Sequence, residues 1–120
     1  MDRSKSIQVK EVFSAETILA SGVATSDVID LTLSSGVVSL QIALTGDGTG
    51  KFEYVASNDG VTYVTPDSVS DIVTAHTKTT GTSGVEIYPL AIAAVKFIKF
   101  TMTETSTTDA VAVTATLAVR

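Results

Sequence analysis

Side chains able to carry out chemistry are few in this 120-residue chain. It contains no Cys and a single His, His76. The lack of Cys excludes disulfides, thiolate metal sites and cysteine nucleophiles, and one His cannot form a multi-histidine metal centre. A Ser-His-Asp triad would depend on His76 alone, and no G-x-S-x-G motif accompanies it. We therefore expect His76 to be a lone surface or partly packed side chain, and we expect no enzymatic activity.

Acidic residues in predicted turns and loops are the remaining candidates for a ligand site. Asp47, Asp59 and the pair Asp67 and Asp71 could offer oxygen ligands to Ca²⁺, which binds clustered carboxylates. None of them matches the spacing of an EF-hand loop, and Asp and Gly are ordinary turn residues. The glycine-rich run 46–50 lacks the ending of a phosphate-binding loop. We expect turns here, with no metal and no cofactor.

The balance of charge limits the class of partner. Eight Lys and Arg residues against 13 Asp and Glu give a net charge of −5, which argues against nucleic-acid binding through phosphate neutralisation. The longest apolar run, 89–95, is far shorter than the roughly 20 residues of a membrane span. No apolar segment follows the polar N-terminus, so we expect no signal peptide and retention in the cytosol.

Hydrophobic alternation indicates which elements position these side chains. Thr and Val number 19 and 16, and both β-branched residues suit a pleated sheet. Apolar and polar residues alternate most clearly in four segments: 37–45, 51–57, 95–104 and 110–119. Weaker strands are predicted in four more: 7–13, 23–33, 61–64 and 85–88.

The connections between these strands carry turn residues. Segment 70–75 is predicted as a short helical turn and 77–84 as a mobile surface loop. Pro89 is expected to stop the strand before it, and 90–94 to form a tight or helical turn.

Seven or eight short strands with turns between them predict an all-β antiparallel sandwich or jelly roll. An immunoglobulin-like arrangement of the same strands stays open. We expect one domain over 7–120, preceded by a short N-terminal arm over 1–6. The predicted core consists of inward-facing apolar and aromatic residues of the strands: Leu40, Ile42, Phe52, Tyr54, Ile87, Ile98, Phe100, Val113 and Leu117.

Two places could contact a partner. The arm carries Arg3 and Lys5, and it either lies on a partner surface or is a solvated tail. Phe97 and Lys99 fall on the strand face opposite Phe100, where an apolar patch would be a partner contact. The alternative for Phe97 is an aromatic ring covered by a neighbouring loop.

The order of elements from Leu40 to Val119 resembles a known class. An alternating strand and a glycine-rich turn precede the sequence FEYVASNDGVTY at 52–63, and VKFIKF at 95–100 leads to a final Ala/Val/Thr strand. This order resembles small virion proteins of tailed bacteriophages, in which an S-N-D-G-x-x-Y/F hairpin and a late K-x-I-K strand recur. The hairpin is also similar to the S-x-D-G-x-x-W element of discoidin-like jelly rolls, with Tyr63 in place of Trp.

The resemblance implies a phage structural protein, and within that class a capsid decoration (cement) protein. Such a protein would sit in the virion on the major capsid protein or other virion proteins, as a homo-oligomer with a trimer favoured. A neck, tail or head-fibre component is an alternative, as is a discoidin-like module for carbohydrate or a host surface. That module would bind near Asp47, Asp59 or the 77–84 loop.

Overall fold

The computed structural model describes residues 7–32, 38–66, 71–90 and 95–120. The predicted arm at 1–6 and the turn at 91–94 lie outside these ranges. Within them the chain forms antiparallel strands and no α-helix. The strands are β1 (Gln8–Ile18), β2 (Val23–Thr25), β3 (Ile29–Asp30), β4 (Val38–Thr45), β5 (Gly50–Ser57), β6 (Asp71–His76), β7 (Val85–Leu90), β8 (Phe97–Glu104) and β9 (Val111–Val119).

The strands form two sheets that pack as a sandwich, which confirms the predicted all-β class. Sheet A has the order β1-β9-β4-β7, and sheet B has the order β2-β8-β5-β6. The short strand β3 pairs with β8 beside β2, so both extend the same edge of sheet B. Every pairing is antiparallel.

The core lies between the sheets and comes mainly from β4, β5, β8 and β9. Strands β8 and β9 alternate strictly between buried and half-buried residues, as expected for strands with one face in a core. Most predicted core residues are fully buried, and Phe13, Leu44 and Met102 join them. Burying a large apolar side chain contributes about 1.5–3 kcal/mol, so these four strands supply most of the buried apolar side chains that stabilise the fold.

Ile87 is an error in the predicted core. Its side chain is 53% exposed, because β7 turns Tyr88 and Leu90 inward and Ile87 outward opposite Gln41. Tyr54 is half-buried and packs against the core. Strand β7 is a six-residue edge strand with apolar residues on both faces. In such a strand the sequence pattern alone does not show which face is buried.

The helical turn predicted over 70–75 is also wrong. Residues 71–76 form strand β6, which pairs with β5 at the edge of sheet B. Ile72 and Val73 are β-branched residues packed against the core, and this favours an extended strand over a single helical turn.

The strand predicted over 23–33 is interrupted at Ser26. The Ser26 amide donates to the Phe100 carbonyl at 2.8 Å, and the Ser26 hydroxyl accepts from the Phe100 amide at 2.9 Å. One side chain thus replaces a backbone acceptor of the ladder, and the chain divides into β2 and β3 on either side of it. The segment 61–64 keeps only one bridge, between Ala56 and Val64.

Two further differences concern strand β7 and the turn that precedes it. Strand β7 continues through Pro89, which pairs with Ser39 on one side only; an edge strand tolerates a residue without an N–H. The segment 77–84 is a hydrogen-bonded turn in which Thr80 N donates to Thr77 O and Gly84 N to Thr80 O.

Candidate interaction surfaces

His76 lies in the interior and not on the surface. Its exposed fraction is 0%, and its ring sits edge-on to Phe52 and Tyr88 with centroids 6.1 and 5.8 Å away. Nε2 is 2.8 Å from the Gly84 carbonyl oxygen and Nδ1 is 2.8 Å from the Tyr88 hydroxyl. A carbonyl only accepts, so Nε2 carries the proton. His76 therefore joins β6 of sheet B to β7 of sheet A, which is a structural role.

The acidic residues proposed for Ca²⁺ are engaged within the chain. Asp47 pairs with Lys78, and Asp71 lies 3.9 Å from Lys51. The Asp59 carboxylate accepts hydrogen bonds from Thr62, Val61 and Ser57, which hold its pKa below the ordinary value. Asp67 lies outside the described residues, and no group of three potential metal ligands occurs within them.

Glu104 is the charged residue whose role the sequence did not reveal. It is 1% exposed at the end of β8. Its Oε1 accepts from the amides of Ser21 and Thr107, and its Oε2 from those of Thr49 and Ser106, at 2.8–3.1 Å. Burial raises the pKa of this carboxyl, but the hydrogen bonds outweigh burial and hold the pKa at about 2. One carboxylate thus fastens three connecting loops.

Phe97 and Lys99 lie on the outer surface of sheet B, on the strand face opposite Phe100, as predicted. The hairpin after β5 covers part of this surface. Gly60 packs against the Phe97 ring, where an added Cβ would meet ring carbons at 3.3 Å. The Lys96 Nζ atom lies 5.4 Å from the centre of the same ring. The Phe97 ring is thus half-buried, with the hairpin over part of it.

Lys99 makes an aromatic contact from the same strand. Its Nζ atom lies 4.3 Å from the centre of the Tyr63 ring, a cation–π geometry. The pair presents a positive charge fixed on an aromatic ring beside Phe97. We call Tyr63, Phe97 and Lys99 the aromatic patch. Arg3 and Lys5 of the arm lie outside the described residues.

The outer surface of sheet A differs in chemistry. The central strands β4 and β9 point only small or uncharged side chains outward, and we call these residues the sheet A face: Ser39, Gln41, Ala43, Thr45, Ala112, Thr114, Thr116 and Ala118. By contrast, the outer surface of sheet B carries Lys51, Glu53 and Lys99. One protein thus offers one charged and one uncharged broad surface.

A cleft of about 370 Å³ lies beside the hairpin, lined by residues that include Asn58, Asp59 and Val95. Its main polar side chains have internal partners, since the Asn58 Oδ1 accepts from the Lys96 amide and Asp59 holds the turn.

Within the described ranges no helix is long and apolar enough to cross a membrane.

These features define an all-β sandwich in which the polar clusters of the described residues are held by internal hydrogen bonds and ion pairs. The chain matches no protein-family model and no curated protein. Its fold is shared with solved structures. VP2 of the infectious bursal disease virus subviral particle is 10% identical with a TM-score of 0.70, over 94% of this chain and 31% of VP2. The chain thus spans about a third of the length of VP2.

Two further structures match the chain over most of their own length. The SPBc2 prophage-derived protein YomS is 11% identical with a TM-score of 0.50, over 94% of this chain and 91% of YomS. Aeromonas hydrophila PliG, a periplasmic inhibitor of g-type lysozyme, is 8% identical with a TM-score of 0.52, over 96% and 87%. Identities this low establish a shared fold, and one fold serves several functions.

Proposed function

We propose that this protein is a non-enzymatic structural component of a bacteriophage virion, and within that class a capsid decoration protein on the outer surface of the head. The observation that carries the proposal is the likeness of 94% of the chain to VP2 of a subviral particle. A similar likeness to a prophage-derived protein of comparable length supports a phage source.

The chemistry of the described residues supports a binding role. His76 and Glu104 are buried in hydrogen bonds that join loops and sheets, so neither is placed to act on a substrate. The aromatic patch, in contrast, lies at the surface and combines charge with ring area, which is typical of contact residues. We infer that the patch, with Arg3 and Lys5 of the arm, docks onto the major capsid protein.

The docking proposal is tested with purified heads that lack this protein. Lys99→Glu reverses the charge beside Tyr63, and we expect it to weaken binding at least about tenfold, because the aromatic patch loses the cation held over the Tyr63 ring. Lys10→Glu makes the same change in charge on β1 of sheet A and serves as the control. Co-sedimentation over a range of protein concentrations measures both affinities.

Removal of residues 1–6 is the second variant in the same assay. Weaker binding with an unchanged melting temperature supports a docking arm, whereas unchanged occupancy excludes one. Saturable binding to tails or to glycans, with none to heads, would replace decoration by the tail-component or carbohydrate-binding function.

A further inference from the structure

We propose that the sheet A face binds a second copy of this chain, face to face, and forms a dimer. The contact goes beyond the virion role and does not depend on it. Three observations lead to it: the chemistry of the face, the edges of sheet A, which do not favour an added strand, and the net charge of the full sequence.

The sheet A face on β4 and β9 carries no charged residue, and the outward-facing rows across sheet A are uncharged except at the β1 edge. One row of neighbouring residues runs across the four strands of sheet A. It consists of Val9 on β1, Ala118 on β9, Ser39 on β4 and Pro89 on β7. The next row contains Glu11, the one charged residue of these rows, at the β1 edge, and continues through three uncharged residues: Thr116, Gln41 and Ile87. Small side chains leave the central surface flat, so that another flat sheet can approach it closely.

Apolar side chains border the same face on both sides. Val9 is 67% exposed at one edge, and Val85 and Ile87 are 38% and 53% exposed at the other. Scattered exposed apolar residues are normal on a protein surface. Here three of them flank one uncharged face, so exposed apolar side chains lie on both sides of it.

The edges of sheet A do not favour an added strand, which leaves its outer face as the broad surface on this side for a second copy. On β7, the Ile87 amide donates to the Glu86 carboxylate at 3.0 Å, and Val85 exchanges backbone hydrogen bonds with Thr82. Pro89 has no N–H to offer. On β1, two register shifts interrupt the ladder near Phe13, and such bulges discourage edge pairing.

The uncharged face favours a second copy as the occupant. The chain carries −5, so the net charge opposes association of two copies. A contact between identical faces places each patch against its own equivalent, and an uncharged patch avoids that repulsion. The sheet A face therefore suits a partner of the same net charge.

Area predicts the strength of the contact. Four strands about 4.8 Å apart and about eight residues long present roughly 500 Å². A pair of such faces buries about 1,000 Å² in total, the lower limit for a specific interface. We therefore expect a dimer that dissociates on dilution. A face that meets itself closes as a dimer, whereas the trimer implied by the resemblance needs a head-to-tail contact.

Sedimentation equilibrium of the full chain between micromolar and millimolar concentration tests the proposal. We expect the mass to rise from 12.4 kDa to twice that value. Gln41→Glu is nearly isosteric at an exposed position of the face, and it should raise the dimer dissociation constant at least about tenfold. Thr103→Glu adds the same charge on the outer surface of sheet B and should leave the constant within about twofold.

A mass of 12.4 kDa at every concentration, or a mass three times as large, would overturn the proposal. Equal weakening by both variants would do so as well, because it would indicate general repulsion and not a contact at this face. Circular dichroism melting confirms that each variant is folded. Binding to heads is measured separately, so loss of the virion role leaves this result unaffected.

Discussion

Glu104 ends β8 between three connecting loops, and both of its carboxylate oxygens accept backbone hydrogen bonds. The four donors come from the loop after β1, the turn after β4 and the turn after β8. These amides have no strand partner of their own, so the carboxylate supplies the hydrogen-bond acceptor that a neighbouring strand would otherwise provide. A buried charge is stable here because four donors surround it.

Glu104→Gln should lower stability by roughly 2–4 kcal/mol at pH 7, because the amide nitrogen cannot accept and faces two N–H donors. The folded pKa of about 2 lies below the ordinary value of 4.5. Stability from the carboxylate is therefore complete above pH 4.5 and is lost as the pH falls toward 2. Thermal unfolding at several pH values measures the difference between the two proteins, which should narrow in acid.

The control for this variant is Glu16→Gln, which removes an exposed carboxylate from β1. It should melt within a few degrees of the native chain at each pH. Equal melting of Glu104→Gln and the native chain at pH 7 would contradict the role given to Glu104.

The buried roles of Glu104 and His76 could not be predicted from local sequence. Glu104 occupies a strand end that would be solvated in most proteins, and its partners lie up to 83 positions away. The partners of His76 come from a different sheet. Hydrophobic periodicity reports which face of a strand is apolar, but it does not report which loops converge on a polar side chain.

At the scale of elements, alternation predicted the long central strands well and the edges poorly. Strands β4, β5, β8 and β9 each have one face in the core, so their sequences carry a clear period of two. The edge strands β6 and β7 are short and half-exposed. Their apolar residues are compatible with either face of the strand pointing toward the core. Ile87 was therefore assigned to the core although it points outward.

The hairpin after β5 shows how a short motif positions a surface. Asp59 Oδ1 accepts from the amides of Val61 and Thr62 and from the Ser57 hydroxyl, and Ser57 in turn accepts from the Gly60 amide. This turn sets Gly60 against Phe97. The motif on which the resemblance rests thus holds one part of the aromatic patch in place.

Asp59→Ala should lower the midpoint of thermal unfolding by a few degrees and weaken binding to heads, since the turn loses its acceptor. Asp59→Asn keeps an acceptor oxygen at the same position and should restore most of both properties. Melting curves and co-sedimentation measure the two effects. If alanine and asparagine behave alike, the turn does not depend on this acceptor.

At the scale of the whole molecule, the sandwich separates two kinds of surface. The aromatic patch on sheet B combines a fixed cation with ring area, whereas the sheet A face is uncharged and bordered by apolar residues. Under the two proposals, one small domain would bind a particle through sheet B and its own copy through sheet A. Repetition over many copies strengthens individually weak contacts.

The most direct test of the virion role is the location of the protein in purified particles. The proposed virion role predicts that mass spectrometry of banded phage virions detects the protein in many copies. Gold-labelled antibody should then mark the outside of the head. Absence from the particles, with the protein recovered only in the soluble lysate, would contradict a structural role; label confined to the tail would contradict decoration.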